Sequence, residues 1–300
     1  MPIYVADYEA RGPGDDREVW LWTDRYIPFE RLSPTQVAAR SELRERLRHL
    51  SARAGEILHA SYAGSKPWNS DVEKILLYNI DAGGASFVPS AAYGVRFELA
   101  GRPRRETAQR RFTCSYQYRL IRPEDEPTHW QREVRLAAFA NVALGRFATA
   151  KRLEQTWLAV HRSDVDVGAR RIAPGAPFGV FLSLEPPLGR HTAARPELTK
   201  ALVDGVVAAF QAQRETATVD GAAARLAGGL LEGPRRIAEM LLDERRAVLG
   251  VVDRLIHLRG AGVQWNPSDH LCAVGEVLCS EPVGHHWRMS GEVWSLQQQT

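Results

Sequence analysis

No run of about 18 consecutive apolar residues occurs in the chain, so no segment reads as a membrane-spanning helix. The opening residues, MPIYVADYEARGPGDD, lack the basic stretch and apolar core of an export signal. Cysteine is scarce: Cys114, Cys272 and Cys279 are irregularly spaced, which argues against a disulfide framework and for a reducing compartment. The expected location is therefore cytoplasmic. Neither Cys-x-x-Cys nor His-Glu-x-x-His is present, and Cys272 and Cys279, seven apart in one extended run, face opposite sides of it. Zinc loses its usual support. A Walker loop, a Rossmann glycine fingerprint and a Gly-x-Ser-x-Gly elbow are also missing, which removes the common signals for nucleotide-dependent enzymes and serine hydrolases.

What remains is a 300-residue chain with 44% hydrophobic and 25% charged residues, ordinary for a globular protein with a large core. The net charge of +3 is unevenly spread. Arg102, Arg104, Arg105, Arg110, Arg111, Arg119 and Arg122 face a single acid, Glu106, within 21 residues, and Phe112, Tyr116 and Tyr118 sit among them. Guanidinium pairs with phosphate and aromatic rings stack on bases, so this segment is a candidate nucleic-acid surface. A β-hairpin with a solvated outer face explains the same residues without a ligand.

Along the chain, REVWLWTD reads as an early strand. Ser33, Pro34 and Gln36 form a capping-box start for a helix whose apolar positions Leu43, Leu47, Leu50, Ala54 and Ile57 carry it to about Tyr62. Two strands, AYGVRFELA and RFTCSYQYRLI, flank the arginine-rich turn. PEDEP at 123–127 is an acidic break, followed by an expected helix over 129–147, a strand TWLAVH and a strand over 179–185. Helices are expected over 195–213, 222–231 and 234–246, then two closing strands, LCAVGEVLC and WRMSGEVWSL. The sum is an α+β protein with mainly antiparallel sheets and packed helices, divided into halves at 1–125 and 126–300, with a helical insert near 214–262. A faint repeat aligns Asp71-Val-Glu73-Lys74-Ile-Leu-Leu-Tyr78 with Glu197-Leu-Thr199-Lys200-Ala-Leu-Val-Asp204, which makes two similar halves, a pseudo-dimer, a specific expectation.

Carboxylates mark the candidate chemistry. Glu197, Lys200 and Asp204 share one face of the 195–213 helix, opposite the apolar stripe Leu198, Leu202, Val206 and Ala209. They line a cleft or form a solvated ion-pair stripe. Asp269, in NPSD ahead of a strand, is placed to ligate a metal or to close an Asx turn. With Glu197, Asp204 or Glu276 it would offer oxygen ligands to Mg²⁺, which could activate water and stabilise a leaving phosphate oxygen.

The order strand, basic turn, acidic helix, Asp, strand, strand over residues 179–296 resembles RusA-type Holliday junction resolvases, with an insert near 214–262. The resemblance implies Mg²⁺-binding carboxylates at a helix start and before the final hairpin, and a dimeric enzyme acting at a DNA junction. Glu197 and Asp269 match these places in kind. Thr199 stands where an acid is expected and Lys200 where Asn is expected, while Asp71 and Glu73 keep both acids in the first half. The expectation is a nucleic-acid-associated, nuclease-like protein or a degenerate relative of one. Its candidate catalytic residues are Glu197, Asp269, Asp204, Asp71 and Glu73, with Mg²⁺ on Asp269 and Glu197. Arg102, Arg104, Arg105, Arg110, Arg111 and Arg119 are its candidate phosphate contacts. The alternative is a non-catalytic subunit of a larger assembly, with Trp20, Trp22, Trp287 and Trp294 on a protein-partner surface.

Overall fold

The computed structural model describes residues 7–15, 17–67, 70–101, 112–145, 147, 151–190 and 192–299. Among them, ten strands form one mixed sheet in the order β1-β2-β5-β3-β4-β13-β8-β14-β6-β7. These are β1 (Tyr8–Arg11), β2 (Glu18–Thr23), β3 (Ile57–Gly64), β4 (Gly94–Leu99), β5 (Cys114–Ile121), β6 (Trp130–Gly145), β7 (Val165–Val167), β8 (Phe178–Glu185), β13 (Cys272–Cys279) and β14 (Trp287–Gln298). Only β3–β4 and β8–β13 are parallel; the other pairs are antiparallel. The protein is α+β, with helices packed on a mainly antiparallel sheet.

The strand order is symmetric about its centre. β4 and β13 lie side by side and antiparallel, with Glu276 opposite Arg96. Moving outward, β3 corresponds to β8, β5 to β14 and β2 to β6, each with the same relative direction. In both halves a helical segment joins the parallel pair. In the first it is helical from 72 to 81, with a π-helical turn over Lys74–Tyr78. In the second it is α4 (Pro196–Ala209), followed by the insert. The insert carries β9 (Ala212–Gln213), α5 (Val219–Ala227), α6 (Pro234–Leu241), β10 (Val251–Val252), β11 (Ile256–Arg259) and β12 (Gly262–Trp265). One apolar core runs through both halves, from Val19 and Leu21 to Leu182 and Val293.

Several local expectations change. Helix α1 (Pro34–Arg48) has the capping box, with Ser33 and Gln36 bonding each other's backbone, but it ends at His49. Gly55 then takes a left-handed conformation (φ 81°) that turns the chain into β3, so Ile57 belongs to a strand. The helix expected over 129–147 is replaced by the long strand β6, Trp130–Gly145. Its alanines favour a helix, but Val142 and Leu144 are buried between exposed neighbours, Trp130 and Leu136 are also buried, and it pairs along most of β14. TWLAVH lies in helix α3 (Arg152–Arg162), where Trp157 and Val160 are buried in the core.

The acidic break is fastened to the sheet face opposite the helices. The fully buried Arg96 guanidinium donates to the carbonyls of Pro123, at 2.8 Å, and Asp125. Glu98 accepts from the amides of Thr128 (3.1 Å) and His129 (2.5 Å), and Trp130 Nε1 donates to the Leu99 carbonyl at 2.6 Å. PEDEP is thus a tied crossing between halves, not a loose linker.

Candidate functional site

The sheet end where β3 stops and β13 begins gathers the acidic residues. Tyr62 of β3 stands beside Leu99 of β4, and Val274 of β13 beside Glu98. Beyond that end, Asp71 precedes the 72–81 helix and Asp269 opens a short 3₁₀ turn before β13. Helix α4 lies across the 72–81 helix, because its residues are small or apolar nearly all round. Leu198, Leu202, Val206 and Ala209 are buried as the periodicity predicts, and so are Thr199, Val203, Asp204 and Val207. Of the polar face read as cleft-lining or solvated, Asp204 is buried and Lys200 mostly so, while Glu197 is exposed.

Lys200 occupies the centre. Its Nζ is 2.9 Å from Asp204 Oδ2, 3.2 Å from Asp71 Oδ2, 3.4 Å from Asp269 Oδ2 and 3.8 Å from Glu73 Oε2. The four carboxylates come from three separate segments in both halves. The Lys200 side chain is 27% exposed and that of Glu73 only 4%, so the cluster is shielded with a narrow opening to solvent. Among the described residues neither Glu73 oxygen has a hydrogen-bond partner. Lys66 adjoins the group, donating to the Ser70 carbonyl at 2.5 Å and to the His270 carbonyl at 3.3 Å.

Crowding of like charges away from water sets the protonation. Burial pushes the Glu73 carboxyl up to about 8, only partly opposed by Lys200. Burial and then the Asp204 charge push Asp269 up to about 9, and its carboxyl is hydrogen-bonded with those of Asp204 and Asp71. Asp204 is also raised by burial. Burial alone would lower Lys200, but the surrounding carboxylates override it and hold the ammonium charged. Cys272 is raised well above the ordinary thiol range by burial and by Asp269, which makes it a poor nucleophile.

Of the sequence candidates, Asp71, Glu73, Asp204 and Asp269 meet here, and Glu197 does not. It is exposed in the first turn of α4, near Arg152. Glu276 is also elsewhere, accepting at 2.7 Å from Nε of the buried Arg96. At the place related by the sheet's symmetry, Thr199 donates to the Ala194 carbonyl, and Ala91 precedes β4 by the same interval at which Asp269 precedes β13. The two symmetric places are therefore unequal, and only one carries the acids.

Arg102, Arg104, Arg105, Arg110 and Arg111 lie outside the described residues. Arg119 is committed internally, with Nε donating to His59 Nδ1 at 3.1 Å and Nη2 to Thr128 Oγ1 at 2.8 Å. That bond leaves the His59 proton on Nε2, which faces Glu98 Oε2 at 2.9 Å. The residues flanking the arginine-rich segment are placed: Ala100 bonds the Tyr62 carbonyl, and Cys114 pairs with Gly64. Both anchors are at the sheet end that carries the acidic cluster. Trp20 and Trp22 are buried and stacked 5.3 Å apart, while Trp287 and Trp294 are half-buried, so none of the four is a freely exposed partner contact.

The sequence could have pointed to Lys200 as the centre only through its position between Asp204 and the acids of the other half. No helix among the described residues is long and apolar enough to cross a membrane. Compared with known families, curated proteins and solved structures, the chain gives no match to any of them.

Proposed function

We propose that this is a nucleic-acid-associated protein built like a fused pair of resolvase-type halves, with one remaining carboxylate site closed by an internal lysine. The observation that carries the reading is placement. The residues that flank the arginine-rich segment, Ala100 and Cys114, lie at the same sheet end as the four-carboxylate cluster, and a basic segment beside such a cluster is what a phosphodiester backbone would need. The unequal symmetric places favour a degenerate relative of a paired nuclease over an active pair.

Aspartate and glutamate oxygens are the donors Mg²⁺ prefers. As arranged, they do not fit the ion: the Lys200 ammonium fills the centre, and among the described residues no three such groups stand close enough to share one. Cleavage is therefore not assigned to this site. The reading is tested with a fluorescently labelled four-way junction and the matching duplex, assayed with Mg²⁺ and with EDTA. Binding without Mg²⁺-dependent cleavage is expected. Cleavage that Asp269→Asn abolishes would overturn the degenerate assignment, and no binding at low salt would overturn the nucleic-acid assignment.

A further inference from the structure

The other buried acids among the described residues are well partnered. Glu98 accepts from His59 and two backbone amides, and Glu276 is paired with Arg96. Glu73 is the exception: its side chain is nine-tenths buried and directed at the Lys200 cluster, yet both its oxygens lack a hydrogen bond among the described residues. The reason is the valence of the cation. An ammonium has three N–H donors. The three nearest carboxylates, Asp204, Asp71 and Asp269, take up that capacity at 2.9–3.4 Å, which leaves Glu73 at 3.8 Å with electrostatic attraction only.

A divalent ion has no such limit, because hard cations accept six or more oxygen ligands. We propose that Lys200 is the built-in cation of this site, standing where a divalent ion would stand, and that removing it turns Asp71, Glu73, Asp204 and Asp269 into a site for one hard divalent cation. As arranged around the ammonium the acids form no metal site, so the change needs them to move inward once Lys200 is gone. One oxygen of each of the four carboxylates stands 2.9–3.8 Å from the Lys200 nitrogen, and ligation needs them to close to about 2.0–2.6 Å of an ion in its place. Asp71 and Asp269 lie outside regular helix and strand, and Glu73 directly precedes a π-helical turn. This proposal goes beyond the nucleic-acid assignment and stands without it.

The test is Mn²⁺ binding to the full chain without nucleic acid, followed by calorimetry and by the paramagnetic resonance signal of free Mn²⁺. Lys200→Met is expected to bind one Mn²⁺ at least ten-fold more tightly than the unsubstituted protein, and adding Glu73→Gln should reverse most of the gain. Equal affinity in Lys200→Met and the unsubstituted protein overturns the proposal. If Lys200→Met folds only when Mn²⁺ is supplied, the proposal is supported. If it does not fold at all, the comparison moves to Asp269→Asn with and without Lys200→Met. The double variant must bind Mn²⁺ more tightly, and no gain overturns the proposal. Mn²⁺ binding by a variant that binds no DNA would leave this proposal intact while removing the proposed function.

Discussion

Lys200 and Asp204, one turn apart on α4, form a 2.9 Å ion pair that joins the two halves, because the same ammonium also holds Asp71 beyond the other half's β3. An i,i+4 pair on an open helix face contributes only a few tenths of a kcal/mol. Here the pair is mostly buried and shared with further acids, so its consequences are larger and depend on pH.

Glu73 and Asp269 have folded-state values raised to about 8 and about 9, well above the ordinary carboxylate range. The folded protein therefore holds protons that the unfolded chain has released, and stability falls as pH rises from about 4.5 towards 9. Glu73→Gln removes one of these groups. It should be close to neutral at pH 5 and stabilising by about 2–4 kcal/mol at pH 8.5. Urea melts of both proteins at the two pH values measure this; a variant less stable at pH 8.5 would contradict it.

Arg96 and Glu276 face each other across the central β4–β13 pair, and Arg96 also holds the crossing segment through two carbonyls. Arg96→Met leaves a buried carboxylate and those carbonyls unpaired, and should cost about 3–5 kcal/mol. Replacing both residues by Met should cost less than the single change, because no uncompensated charge remains. Limited proteolysis should cut first within 123–127 in the single variant, and denaturant melts give the energies.

Gly205 is where α4 approaches α3: a Cβ there would lie 2.6 Å from Thr156 Cβ and 2.9 Å from the Leu153 carbonyl oxygen. Gly205→Ala should destabilise by about 1–3 kcal/mol, since neither neighbour is the free end of a flexible chain. A melting temperature equal to that of the unsubstituted protein would show that the helices separate at no cost.

The sequence disclosed these features unequally. The capping box of α1, the strands β2, β4 and β5, and the acids Asp71, Glu73, Asp204 and Asp269 are all visible in it. The length of α1 was not, because a periodic apolar pattern continues past Gly55, where a left-handed turn redirects the chain. β6 was hidden by alanines that favour a helix in isolation and by the distant β14 that pairs with it. The burial of Asp204 was also hidden: Glu197, Lys200 and Asp204 read as one polar face of α4, and only the last two meet another segment's acids. Glu197 matched a pattern in one dimension, but the symmetric arrangement puts it at the place without partner carboxylates.

The proposed nucleic-acid association through the arginine-rich segment between Ala100 and Cys114 is tested most directly by salt titration of DNA binding. Anisotropy with the labelled junction should give log K falling linearly with log salt, with a slope of about −0.9 for each phosphate contact. Replacing Arg102, Arg104, Arg105, Arg110 and Arg111 by Ser should weaken binding and flatten that slope by at least about two units, with melting behaviour unchanged. An identical slope in the two proteins, or no binding by the unsubstituted protein at low salt, would contradict nucleic-acid association through these arginines.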